Sequence, residues 1–140
     1  MPPDPVLISE TRSWAVKAAD DFRAAEHDLT ASPPLLADAV FHCQQAIEKI
    51  LKAFLTWNGQ AFRKVHDLGE IGQQCVKLDS GLEPLLREAA PLTEYAWKFR
   101  YPGEYEEPAP EEAKSAIETT RNVLKVLSEK LPKDICNKSS

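Results

Sequence analysis

The sequence predicts an all-α domain, an antiparallel up-and-down four-helix bundle with an additional short helix. Three observations carry this expectation. Apolar residues recur at spacings of three and four along most of the chain, which lines them up on one face of a helix. No segment alternates apolar and polar residues as a half-buried strand would. Proline and glycine divide the pattern into four sizeable segments and one short one, and the short connections between them leave neighbours to pack side by side. A chain of 140 residues is one domain, and 43% hydrophobic with 28% charged residues is a globular composition that forms a core.

Three prolines among the first nine residues point to a disordered N-terminal arm over residues 1–9. The helical domain spans residues 10–131. Its first helix starts at Ser9 or Thr11 and ends near Thr30, with Trp14, Ala18, Phe22, Ala25 and Leu29 on one face and Asp20, Arg23 and His27 on the wet side. Pro33-Pro34 opens the second, because a first helical turn tolerates proline's missing N–H. Leu36, Val40, Cys43, Ile47, Ile50, Phe54 and Trp57 then follow at an unbroken 4,3,4,3,4,3 spacing, and Gly59 marks the stop. The seam makes this helix the spine of the bundle.

Asp67 reads as the N-cap of a short third helix, with Glu70 as its capping-box partner and Leu68, Ile71, Cys75 and Leu78 as its apolar stripe. A fourth segment begins near Glu83-Pro84 and must kink or split at Pro91, which lacks a backbone donor. Leu92, Ala96 and Phe99 resume the stripe until Tyr101-Pro102-Gly103, where an acidic, proline-rich loop begins. The last helix covers Pro110 to Leu131 through Ala113, Ile117, Thr120, Leu124 and Leu127. Residues 132–140 have little to bury and read as a flexible tail.

With 17 basic against 22 acidic residues the net charge is -5, so a nucleic-acid site has to be local rather than a whole basic surface. No run is long and apolar enough to span a membrane, and the first residues lack the basic and apolar regions of a signal peptide. Cys43, Cys75 and Cys136 are odd in number and widely spaced, without a CxxC, so the expectation is a cytoplasmic protein with buried thiols and no disulfide. Ligand spacing for a metal is lacking, and His42 and Cys43, being adjacent, point to different faces of a helix. Neither a metal nor a cofactor is expected. Phosphate-loop, dinucleotide and hydrolase-elbow motifs are missing too.

The second helix is more specific than its periodicity. It carries Phe-His-x-Gln-Gln-Ala-x-Glu-Lys-x-Leu-Lys-Ala over Phe41–Ala53, followed by His66-Asp67-Leu68 and then by Arg100-Tyr101-Pro102. In these blocks, their order and their separation, the chain resembles the HEPN family of small helical domains, over about residues 10–131. The resemblance implies a homodimer, often encoded beside a small nucleotidyltransferase in a toxin–antitoxin pair, that binds a nucleotide or RNA. It also implies, for catalytic members, metal-independent cleavage of RNA by an Arg-x4-6-His motif, arginine neutralising phosphate and histidine moving a proton. Counting from Arg100, the histidine belongs at 105, 106 or 107, where this chain has Tyr105, Glu106 and Glu107.

The expected activity is therefore binding of a nucleotide, an RNA or a partner nucleotidyltransferase without catalysis. The alternatives are a ribonuclease using Arg100 with a base from outside the family motif, and a purely structural dimerisation module. Arg63, Lys64 and His66, just before the third helix, are placed to meet a phosphate at a helix N-terminus, or are a basic loop with a capping residue. Lys98, Arg100 and Tyr101 close the fourth segment, where cations either bind a ligand or merely complement the helix end. His42, Gln45, Lys49 and Lys52 form a polar stripe away from the seam, either a binding surface or a hydrogen-bond network between helices. Arg100 is the first choice among these, since guanidinium bridges two phosphate oxygens in one plane. Trp14, Trp57 and Trp97 read as core or dimer contacts.

Overall fold

The computed structural model describes residues 4–103 and 106–136, and among these it is all helical. Six α-helices follow in order: α1 (Pro5–Thr30), α2 (Leu36–Trp57), α3 (Leu68–Leu78), α4 (Glu83–Ala89), α5 (Pro110–Glu129) and α6 (Lys133–Cys136). One 3-10 turn, Ser80–Leu82, precedes α4, and a 3-10 segment, Ala90–Ala96, continues it. The centre of the bundle is α2, which packs on α1, α3, α5 and the 3-10 segment.

The expected seam is buried from Val40 to Phe54, but α2 is enclosed well beyond it: Leu51 and Leu55 are as inaccessible as Ile47. They meet the neighbours that lie off the seam, and together with Leu68, Ile71, Leu82 and Leu127 they make the heart of the core. The helix closes as Gly59 predicts. Gly59 has φ +70, and the Gln60 N–H bonds to the Leu55 carbonyl (2.9 Å) while the Gly59 N–H bonds to that of Thr56 (3.0 Å), a Schellman cap.

Other boundaries differ from the sequence expectation. The helix α1 starts at Pro5, so residues 5–9 of the expected arm are helical, because Asp4 caps Val6 (2.9 Å) and proline suits a first turn. Pro33 and Pro34 lie in the link before α2 rather than in its first turn, since a proline drives the residue ahead of it away from helical geometry. The tail also contributes. Lys133–Cys136 form α6, Ile135 is 2% exposed, and Arg12 of α1 donates to the Asp134 carbonyl (3.1 Å). Residues 1–3, Glu104, Tyr105 and 137–140 lie outside the described residues.

Pro91 splits the fourth segment as expected, α4 giving way to 3-10 geometry at Ala90. Asp67 caps α3 through the Gly69 and Glu70 N–H groups, while the Glu70 carboxylate turns to Arg63 (2.9 Å) instead of closing a capping box. Cys43 and Cys75 are buried, and burial pushes both thiols up to about 12. Trp14 and Trp57 are half-buried against the core, whereas Trp97 is 52% exposed.

Ile47 is fully enclosed, so Ile47→Ala should destabilise the chain by about 2–5 kcal/mol. Urea denaturation checks this, and a loss under half of that lower bound would contradict the core assignment.

Candidate functional site

Two polar networks leave neighbouring sides of α2. On one side Gln44, Glu48 and Lys52 stand four residues apart, each 5% exposed or less, so three polar side chains share a buried stripe. Lys52 donates to Glu48 Oε2 (2.9 Å), and its ammonium lies 5.4 Å from the Trp14 ring centre and 5.6 Å from that of Phe62. Gln44 donates to Glu48 Oε1 (3.2 Å) and to the His66 carbonyl (2.9 Å), and His66 Nδ1 lies 2.7 Å from Glu48 Oε1. Burial alone would raise the Glu48 pKa, but hydrogen bonds from His66, Lys52 and Gln44 outweigh it and hold the carboxyl below its ordinary value. This network ties the α2–α3 connection to the spine.

The second network links α2 to α1 through ion pairs. His42 Nδ1 lies 2.8 Å from Asp21 Oδ1, and Lys49 donates to Asp21 Oδ2. His42 Nε2 lies 3.3 Å from Asp38 Oδ2, one turn back on α2, and Asp38 Oδ1 lies 4.0 Å from the Arg100 guanidinium. Asp28, in the last turn of α1, joins them, and burial together with Asp38 pushes its carboxyl up to about 6.

Arg100 reaches this place through a strained turn. Phe99 has φ +67, a conformation that costs a bulky residue on the order of 1–3 kcal/mol, and its ring stacks 6.1 Å from Tyr95. Tyr95 is itself buried and donates to Glu112 of α5. The turn sets the Arg100 guanidinium over Phe41, its carbon 3.8 Å from the ring centre, with the side chain still 41% exposed. Phe99, Arg100, Tyr101, Pro102, Gly103 and Glu107 line an open groove of about 310 Å³ there.

The first sequence block therefore touches each of the other two: Phe41 meets Arg100, and Gln44 and Glu48 meet His66. The HEPN domain model matches residues 11–131. The chain belongs to the HEPN family. This HEPN chain is also 30% identical, in an alignment 141 positions long that covers 86% of it and 92% of the relative, to a protein of Methanocaldococcus jannaschii named "Putative toxin MJ1304". No solved structure shows a significant match. No helix among the described residues is long and apolar enough to cross a membrane.

Of the residues singled out in the HEPN sequence, Arg63 is exposed and paired with Glu70, and Lys64 is exposed. Lys98 pairs with Glu94 (3.1 Å) and lies over Phe99, and Tyr101 is 64% exposed. Gln45 donates to Gln44 Oε1 (2.6 Å). His42 and Lys49 make the helix–helix network described above, and Lys52 is buried rather than part of an open polar face. The two basic clusters meet α2 at separate levels. Arg100 faces Asp38 and His66 faces Glu48, ten residues on, which is roughly 15 Å along a helix. Asp21, Asp28 and Asp38 escaped the sequence reading, and Glu48 entered it only as part of the Phe41–Ala53 block; the four-residue spacings Asp38–His42 and Gln44–Glu48–Lys52 were the available signal.

Glu48→Gln keeps the shape but strands the buried Lys52 charge, and should cost about 3–5 kcal/mol. Because the Glu48 pKa is lowered on folding, its stabilisation is complete above the unfolded carboxylate's value and drains as pH falls through the folded one. Thermal melts at descending pH should therefore show a steeper loss in wild type than in Glu48→Gln; parallel curves would refute the assignment.

Proposed function

We propose that the chain is the HEPN member of a toxin–antitoxin pair, working as a homodimer beside a partner nucleotidyltransferase, and that it binds RNA or a nucleotide rather than cutting it. The observation that carries this reading is Arg100, whose guanidinium lies over the Phe41 ring and which itself lines a groove the size of a small ligand. A phosphate in that groove would be met by the Arg100 guanidinium, which can bridge two of its oxygens, and a base would rest on the exposed Tyr101 ring. The relative named for a toxin supports the pairing, since its similarity extends over 92% of its own length. Positions 105, 106 and 107, where a catalytic member would carry its histidine, are Tyr105, Glu106 and Glu107.

A second reading rests on His42, which shares Asp38 with Arg100 and is oriented by Asp21, the arrangement of a general base beside a phosphate-binding arginine. One titration separates the two. Labelled single-stranded RNA should stay intact with wild type, while Arg100→Lys binds it several-fold more weakly and with a shallower salt dependence. Cleavage that disappears in both His42→Ala and Arg100→Ala would instead establish the ribonuclease, and equal affinities at two salt concentrations would remove Arg100 from the site. Light scattering should give twice the chain mass of 15.6 kDa; that mass itself at micromolar concentration would refute the homodimer.

A further inference from the structure

The end of α1 and the start of α2 hold three potential ligand groups that belong to different parts of the sequence. Asp28 is in the last turn of α1, and Asp38 and His42 are one turn apart on α2. The link between the helices brings them together, the Leu35 N–H bonding back to the Asp28 carbonyl (2.9 Å). One ligand atom from each of the three lies within 4.8 Å of the others.

Two features of this cluster are unsatisfied. Oδ2 of Asp28 is shut off from solvent and has no hydrogen-bond partner among the described residues, a state that a carboxylate oxygen tolerates only at a cost. His42 supplies the other. Its Nδ1 faces Asp21, whose second oxygen is taken by Lys49, so a neutral ring donates Nδ1–H to Asp21 and turns a bare Nε2 lone pair toward Asp38 Oδ2, 3.3 Å away. A lone pair facing a carboxylate oxygen at that distance calls for positive charge between them. A proton on Nε2 would answer Asp38 and leave Asp28 Oδ2 unmet, and a proton shared between Asp28 and Asp38 would leave the His42 lone pair unmet; a metal ion, which bonds in several directions, answers all three.

We propose that Asp28, Asp38 and His42 form a binding site for one divalent transition-metal ion of the zinc or manganese kind, with Asp21 as the outer carboxylate that orients the His42 ring. A nitrogen ligand with two carboxylates favours these ions over calcium or magnesium, which prefer oxygen alone. The carboxylate–histidine–metal arrangement fixes the tautomer and strengthens the ligand. Arg100 approaches the other oxygen of Asp38, so it leaves Oδ2 to the metal. Small side-chain rotations bring ligand atoms to the bond lengths of about 2.0–2.2 Å that such ions take, and three protein ligands leave a fourth position for water or an incoming oxygen. The site lies beyond the RNA-binding reading and does not depend on it.

The test uses the full chain stripped with EDTA and titrated with zinc or manganese chloride, followed by calorimetry and thermal melts. One ion per chain is expected, with the melting temperature raised by roughly 5–10 °C at a hundredfold excess over Kd. Asp28→Asn replaces an unmet carboxylate with a neutral group, so it should fold at least as well as wild type in EDTA and lose the metal-induced shift. His42→Ala should lose it too, while His27→Ala, which removes an exposed histidine beside the site, should retain it. No shift in wild type with either ion, or an undiminished shift in Asp28→Asn, would overturn the proposal.

Discussion

The Glu48 carboxylate is the interaction on which the arrangement around α2 depends. It lies on a helix enclosed by α1, α3, α5 and the 3-10 segment, where a charge without partners would oppose folding. Lys52, Gln44 and His66 supply those partners, and in doing so they set the path of the chain after Gly59. His66 is 66% exposed at its ring, yet its Nδ1 and its carbonyl both reach into the bundle. Geometry this demanding admits few alternative registers between α2 and the connection that follows it.

The second network on α2 is built on different terms. There the polar groups are half-buried and belong to two helices, so Asp21 can hold both His42 and Lys49 while Asp38 is shared between His42 and Arg100. Arg100 is delivered by a strained residue, Phe99, whose position is held from beneath by Tyr95 and, through it, by α5. Strain of this kind persists where the surroundings over-determine the backbone, and here it sets a cation at the mouth of a groove. The family signature thus divides into a structural half, Gln44–Glu48–Lys52 with His66, and a half that faces the groove, Phe41–His42 with Arg100.

Much of the fold was legible because single residues act locally. Gly59 supplies a left-handed cap, Pro91 breaks the helical ladder and Asp67 caps α3, and none of these effects needs a distant partner. The errors have equally local or equally distant causes. Pro5 starts a helix because Asp4 precedes it, so proline alone was no evidence of disorder, and α6 forms because Ile135 finds cover that the sequence around it does not reveal. Along α2 the spacing of three and four marked one stripe of a helix that is buried on several, since periodicity reports a single face and enclosure is decided by the neighbours.

The helical class, the number and order of the main segments, the break at Pro91 and the family all follow from apolar period, local stops and motif spacing, which are written along the chain. Only the tertiary structure decided which polar residues meet. Asp21 and Lys49 are 28 positions apart, and Asp38 and Arg100 lie in separate segments, so no spacing rule links either pair before the helices dock. Docking also separated His66, before α3, from Arg100, after the 3-10 segment, because each is held by a different acid on α2. A side chain's helical face is a property of its own segment, whereas its partner is a property of the packing between segments.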